Sequence, residues 1–334
     1  MDSKNTKIAV LGDGGWGTTL AILLFKKGFD VTIWGAFPDY ISYMDSKRQN
    51  PRFLAVVPIP KKITLTADLR KALSGKEVII LAIPSQYLRR VLKKMKPIVH
   101  CREAVFVSVI KGIEMGTLKR MSQVIYEELG RVRLVVLSGP TIAHEVARGL
   151  PTVAVIASHD IRLKKYLQDI FMTDRFRVYT NEDVIGVELG GSLKNIIAIA
   201  CGISDGLGFG TNTLAALLSR GLAEISRLGY AMGAQVETFS GISGLGDLVT
   251  TCVSPYSRNR FVGLQIGRGQ TLRNIQVKRR MVAEGIPTTK SAYYLGLKNK
   301  VDLPITREVY NVLYRHKPPL KAFTDLMARK KKEE

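Results

Sequence analysis

Cysteine is scarce in this 334-residue chain: Cys101, Cys201 and Cys252 lie far apart and form no CxxC pattern. That excludes a disulfide framework and a cysteine zinc site, and it points to a reducing, cytoplasmic compartment. The four histidines, His100, His144, His159 and His316, show no ligand spacing, so no metal site is expected. Long apolar runs are also missing. Ile196–Ile203 is interrupted by Gly202 and falls well short of the roughly 18 residues a membrane span needs. The polar start, MDSKNTK, runs straight into a strand-like KIAVL, which does not read as a secretory signal. Acidic side chains are short as well: 28 Asp and Glu against 50 Lys and Arg leave a net charge of +22. Such a surface draws phosphorylated metabolites, nucleic acid or anionic membrane, and charge alone does not choose among them. What remains is ordinary for a folded protein: 46% hydrophobic and 23% charged residues exclude a disordered or collagen-like chain. At roughly 150 residues per domain the length suggests two domains, and no internal repeat is seen.

The first half alternates short β-branched runs with longer amphipathic stretches. Lys7–Leu11, Val31–Trp34, Val78–Ile83, Val105–Val109, Leu134–Leu137 and Val153–Ala157 read as strands. Trp16–Lys27, Ser85–Lys94, Thr117–Leu129 and Asp160–Phe171 read as helices between them, with Ser85 and Asp160 as entry signals. That alternation predicts βαβ units feeding a parallel sheet. From about Thr180 the texture becomes helical, with Gly186–Ala200 and Leu214–Leu228 as long segments. Glycine-rich stretches at Gly202–Gly210, Gly241–Gly246 and Gly263–Gly269 read as breaks carrying functional loops. The expected fold is α/β plus all-α: a dinucleotide-binding domain over 1–185, a helical substrate domain over 186–328, and a frayed charged tail over 329–334.

Gly12-Asp13-Gly14-Gly15-Trp16-Gly17 matches GxGxxG between a strand and a helix, with a second strand following. In a Rossmann unit Gly12 makes the tight turn, Gly14 lets backbone approach a pyrophosphate, and Gly17 lets the helix pack on the strand. The helix N-terminus then offers N–H groups to the anion. Twenty residues on, an acid would read the ribose of NAD and an arginine the 2′-phosphate of NADP. The stretch Trp34-Gly35-Ala36-Phe37-Pro38-Asp39 supplies neither at the strand end; Asp39 reads as a helix cap, and Lys47 and Arg48 are cations that could swing in. With no charge at Ala36, both NADH and NADPH are expected to serve. Later strands end in Ile83-Pro84-Ser85, Ile110-Lys111-Gly112 and Ser138-Gly139-Pro140-Thr141, loops at the carboxyl edge where such sheets bind ligands. Lys111 stands out, because a cation placed directly after a buried strand needs an anion to meet it; a solvated surface lysine is the bland alternative. His144 is weighed as catalytic and placed below its structural reading.

In the second half a Lys194-Asn195 pair interrupts an apolar, small-residue helix. Burial pulls a lysine pKa down and suits it to acid–base work, and a second cation such as Lys111 would push the same way. Gly246-Asp247-Leu248, Thr250-Thr251 and Ser257-Arg258-Asn259-Arg260 follow. Ser257 at a helix cap, with Arg258 and Asn259 in the first turn, would suit a phosphate.

The blocks GDGGWGTTLA, SVIKGIE, SGPTIAHEVARGLPT, ELGGSLKNIIAIACGISDGLGFGTNT, SGLGDLVTTC, SRNRFVG and AEG together resemble the NAD(P)-dependent glycerol-3-phosphate dehydrogenase family, in order from residue 7 to about 290. The resemblance implies hydride transfer with NAD or NADP, and no metal. It implies interconversion of sn-glycerol 3-phosphate and dihydroxyacetone phosphate, supplying glycerol 3-phosphate for phospholipid synthesis. Carried over by position, it makes Lys194 the general acid/base. Gly12, Gly14, Gly15, Trp16, Gly17, Lys111, Ala143, Arg258, Val282 and Glu284 would hold the nucleotide. Lys111, Gly139, Thr141, Lys194, Asp247, Ser257, Arg258 and Asn259 would surround the phosphorylated triose, with Asn195, Asp247 and Thr251 holding Lys194. A homodimer is expected, with no nucleic acid partner and a weak attraction to anionic membrane. Two alternatives stay open. A 6-phosphogluconate or 3-hydroxyacid-type dehydrogenase shares the lysine base, although the SRN and GLGDL blocks argue against it. A non-catalytic basic redox-sensing protein would not need Lys194 and Asn195 in an apolar helix.

Overall fold

The computed structural model describes residues 6–55, 57–99, 103–278, 282–331 and 333. Cys101 and His100 fall outside these residues, as do Lys332 and Glu334 of the tail. The chain divides into two compact units: residues 1–110 with 120–187, and residues 111–119 with 188–334.

In the first unit the strands are β1 (Lys7–Leu11), β2 (Asp30–Trp34), β3 (Thr64–Thr66), β4 (Val78–Leu81), β5 (Val105–Ser108), β6 (Arg133–Ser138), β7 (Thr152–Ala157) and β8 (Phe176–Asn181). They form one sheet in the order β3-β2-β1-β4-β5-β6-β7-β8. The first six follow the doubly wound order of a Rossmann fold. Helices α1 (Gly15–Lys26), α2 (Pro38–Lys47), α3 (Leu69–Leu73), α4 (Leu88–Met95), α5 (Met121–Leu129), α6 (Ala143–Ala147) and α7 (Ile161–Phe171) connect them. Two apolar clusters are built from alternate residues of the same strands: Ile8 and Val10 belong to one, Ala9 and Leu11 to the other. Period-two alternation with both sets buried is what a sheet covered on both faces requires.

The sheet departs from the sequence reading in three places. β6 and β7 pair antiparallel, where an all-parallel sheet was expected. The helix between them, α6, has only five residues and packs on α1, Thr19 donating to the Ala143 carbonyl at 3.2 Å, and the chain re-enters the sheet at the end where β6 leaves it. β3 and β8 also escape the reading. β3 is three residues long, and β8 is an edge strand whose Arg177 and Tyr179 face solvent. Thr117–Leu129 is not all helix; the helix begins at Met121, with Arg120 at its cap. Asp160 does cap α7, accepting from the Arg162 and Leu163 N–H groups, whereas Asp39 lies in the first turn of α2 and Phe37 holds the cap.

The second unit is helical. α8 (Val184–Gly206) starts at the end of the first unit's segment, and α9 (Thr211–Ala231), α10 (Val236–Ser240), α11 (Asp247–Val253), α12 (Arg258–Gly267), α13 (Leu272–Lys278), α14 (Gly285–Lys298), α15 (Pro304–Tyr314) and α16 (Pro319–Met327) follow. Gly202, Gly206, Gly263 and Gly267, read above as breaks, sit inside α8 and α12. A Cβ on Gly263 would lie 2.0 Å from the Ile199 carbonyl oxygen, and one on Gly202 would lie 2.1 Å from that of Arg260. These glycines let two helix backbones touch, Gly202 and Gly263 within the helices and Gly206 and Gly267 at their last positions. α8 is also the one helix among the described residues long and apolar enough, by length and composition, to cross a membrane. That corrects the expectation from apolar runs, and 89% of its apolar window is buried inside the protein, as in a core helix. Arg329 of the expected frayed tail is tied to Asp302 at 2.6 Å.

Candidate active site

The fingerprint glycines of the first unit each answer a contact. Gly12 has φ +128°, and a Cβ there would lie 2.4 Å from the Ala82 carbonyl oxygen; a Cβ on Gly17 would lie 2.1 Å from that of Gly12. Gly15 passes under segment 50–53, with the Phe53 carbonyl oxygen 2.6 Å from its would-be Cβ and Ala143 Cβ at 3.7 Å. Gly14 faces open space and caps α1 with no side-chain hydrogen bond, which leaves the helix entry to a ligand. Trp16 packs against Phe176 with its indole N–H buried and unpartnered. Ser108 and Ser138 close β5 and β6 with buried, unpartnered hydroxyls. Gly139, at φ +128°, and Thr141 form the next turn, the Thr141 hydroxyl donating to the Gly139 carbonyl at 3.1 Å. The cradle fits a dinucleotide pyrophosphate by shape and by its unused helix end. His144 lies on α6, where burial and Arg148 lower its pKa.

The second unit assembles its polar residues around Lys194, which is buried on α8. Its ammonium donates to Asp247 Oδ1 and to Thr251 Oγ1, the latter at 2.7 Å. Asp247, 1% exposed, also accepts from Lys111 Nζ at 2.8 Å. The Thr251 hydroxyl donates to the Asp247 carbonyl at 2.7 Å, so the α11 backbone fixes its orientation. Burial is the main influence on Lys194. Asp247 pulls its pKa up and Lys111 pushes it down, and the result is a pKa lowered to about 7. An amine so placed gives and takes protons near neutrality.

Asn195 does not hold the Lys194 amine, as the sequence reading supposed. Its amide donates to the Lys111 carbonyl at 3.2 Å, and its oxygen accepts from Asn259 at 2.8 Å. Asn259 Oδ1 in turn accepts from the Gly285 N–H at 2.9 Å. Lys111, α8, α12 and α14 are thereby locked together by two amides. Ser257 caps α12, accepting from the Arg260 N–H at 3.2 Å. Arg258 is exposed at the helix start, and Glu284 bears electrostatically on it. Val282 is exposed, three residues before the start of α14. The sequence reading missed Asn50, Arg52 and Phe53, which lie against the fingerprint loop; nothing periodic in the sequence marks them.

A doubly wound sheet with an uncapped glycine loop, carried on one chain with a buried lysine tuned to neutrality, defines a two-domain nucleotide-dependent dehydrogenase. The particular family follows from comparison with known proteins. Residues 7–164 match the N-terminal, and residues 183–324 the C-terminal, family model of NAD-dependent glycerol-3-phosphate dehydrogenase; the chain belongs to that family. It is 49% identical over 331 residues to a glycerol-3-phosphate dehydrogenase [NAD(P)+] of Citrifermentans bemidjiense, covering 98% of each chain. A Thermoanaerobacter protein of the same description is 48% identical over 328 residues, again covering 98% of each. Among solved structures, glycerol-3-phosphate dehydrogenase from Coxiella burnetii superposes with a TM-score of 0.94 at 39% identity, over 97% of this chain and 99% of that one.

Proposed function

We propose that this protein interconverts sn-glycerol 3-phosphate and dihydroxyacetone phosphate with NAD(P), working in the cytoplasm to supply glycerol 3-phosphate for phospholipid synthesis. The observation that carries the reading is the buried cluster of Lys194, Asp247 and Thr251, joined by the half-buried Lys111. A reduced nicotinamide, when bound, would supply hydride for the ketone carbon. Lys194 supplies the proton to the oxygen as the carbonyl becomes an alcohol, and the neutral amine regains its proton from solvent. An ammonium has three N–H bonds; Asp247 and Thr251 take two, and the third is assigned to the substrate oxygen. Lys111, next to the same carboxylate, places a second cation near the developing alkoxide. Ser257, Arg258 and Asn259 are assigned to the substrate phosphate, whose binding energy orients the reacting carbon. The fingerprint glycines and Ala143 are assigned to the nucleotide, together with Val282 and Glu284. Gly139 and Thr141 are assigned to the substrate by resemblance. The working form is taken as a homodimer, which sedimentation would test.

The deciding experiment follows the nicotinamide absorbance when dihydroxyacetone phosphate is added with NADH or NADPH, and when 6-phosphogluconate or a 3-hydroxyacid is added with NAD+ or NADP+. Oxidation of the reduced nucleotide by dihydroxyacetone phosphate is expected. Turnover only with one of the other substrates, or none at all, refutes the assignment.

A further inference from the structure

β2 leaves the sheet at Gly35–Ala36 without an acid or a base. At this exit Rossmann proteins read the adenosine ribose: a carboxylate accepts from the free 2′-hydroxyl, and a cation holds a 2′-phosphate. Arg48, the arginine that follows in sequence, does not meet the second need. Arg48 is paired with Asp45 at 2.7 Å and donates to the Ile63 carbonyl at 2.9 Å.

Charge reaches the exit by another route. Asp13, inside the fingerprint loop, lies so close to Gly35 that a Cβ there would be 2.9 Å from Asp13 Cγ. Burial pushes the Asp13 carboxyl up from its ordinary range, and Arg52 acts to bring it down. The Arg52 guanidinium stacks over the Tyr40 ring, 4.4 Å from its centre. A fully buried amide holds these parts in register. Asn50 Nδ2 donates to the Asp13 carbonyl and to Thr18 Oγ1, both at 2.7 Å, and Asn50 Oδ1 accepts from the Tyr40 hydroxyl at 2.6 Å. The Arg52 N–H donates to that same hydroxyl at 3.3 Å. Arg52 is exposed, but the backbone carrying it is stapled to the fingerprint loop.

We propose that Asp13 and Arg52 together set the choice between NADH and NADPH, Asp13 favouring a ribose with its 2′-hydroxyl free and Arg52 favouring a 2′-phosphate. The inference rests on the dehydrogenase reading. Its physical content is a contest of opposite charges at one place. A 2′-phosphate gains a charge-assisted contact from Arg52 and is repelled by Asp13, while a ribose hydroxyl donates to Asp13. Removing either partner leaves the other unopposed, so the two substitutions must act in opposite directions.

The test is equilibrium binding to the full-length protein, without turnover. NADH and NADPH are titrated against Trp fluorescence, and AMP and adenosine 2′,5′-bisphosphate by calorimetry. The measured quantity is the affinity ratio of the phosphorylated to the unphosphorylated ligand. Arg52→Met should lower that ratio about tenfold or more, and Arg52→Lys should lower it less, because the charge stays while the fork is lost. Asp13→Asn, nearly isosteric, should raise it several-fold. The wild-type preference should weaken with added salt, since exposed charges are screened. If Arg52→Met does not fold, Asp13→Asn must still raise the ratio. A ratio moving less than about twofold in every folded variant, or both substitutions moving it the same way, overturns the proposal. Wild-type protein that binds neither dinucleotide overturns the dehydrogenase reading as well, so the two failures are distinguishable.

Discussion

Replacing Lys194 by Met tests the acid–base assignment most directly. The substitution keeps much of the side-chain volume and removes the proton. Asp247 would not be stranded, because Lys111 remains 2.8 Å from its other oxygen, and Thr251 can still donate to the Asp247 carbonyl at 2.7 Å. The fold should therefore survive, and nucleotide affinity should change by no more than a few-fold. Turnover should fall roughly a hundredfold or more, the ordinary worth of a positioned proton donor, equivalent to about 3 kcal/mol in the barrier. The pH profile sharpens the test. Ketone reduction needs the ammonium, so in the wild type it should fall as pH rises through about 7; alcohol oxidation needs the neutral amine and should rise through the same pH. Both limbs should flatten in Lys194→Met. Initial rates in each direction, with a separate nucleotide titration, supply the measurements. Near-normal turnover in the variant would make the helix lysine structural and move the search for the base to Lys111.

Arg258→Ala should lose mainly apparent affinity for dihydroxyacetone phosphate and narrow its advantage over dihydroxyacetone; equal discrimination in variant and wild type would reassign Arg258 to the nucleotide. Gly263→Ala forces a methyl group to within 2.0 Å of the Ile199 carbonyl oxygen; prising α12 from α8 should cost about 1–3 kcal/mol or more despite the better helix propensity of alanine, read by denaturant melting. Glu224 on α9 is buried and accepts from the Ile305 and Thr306 N–H groups at the start of α15. Burial raises its pKa to about 7. The unfolded chain, with the carboxyl near its ordinary value, then binds fewer protons than the native state between about pH 4.5 and 7. This group's contribution to stability is therefore lost as pH rises through that window, by up to ~3 kcal/mol, and Glu224→Gln should flatten the slope. The +22 charge should let the protein float with anionic vesicles at low salt and release it at high salt; no flotation at low salt would leave the charge without a membrane role.

Local physics made much of this protein legible from its residues in order. A strand, a glycine loop and a helix are contiguous, so the fingerprint at 12–17 and the entry of α1 could be read directly. Lys194 was recognisable because a cation inside a long apolar helix is costly unless it has a purpose. The composition of the second half likewise announced helices. Short or half-exposed strands were not legible: β3 has only three residues, and β8 alternates over a short edge with an aromatic, Tyr179, on its outer face. The reversal at β7 depends on where α6 docks.

The glycines of α8 and α12 look identical in sequence whether they break a helix or admit a neighbouring one; only the approach of the Ile199 and Arg260 carbonyls distinguishes the two. Asp247 became the anchor of Lys194 and Lys111 through contacts spanning 53 and 136 residues. Asn50 reached the fingerprint loop across 37. Hydrophobic periodicity and turn chemistry act over a few residues, so they determined the elements and the kinds of chemistry present. Charge pairing and close helix packing depend on distance in space, so the tertiary structure alone decided which of those groups meet.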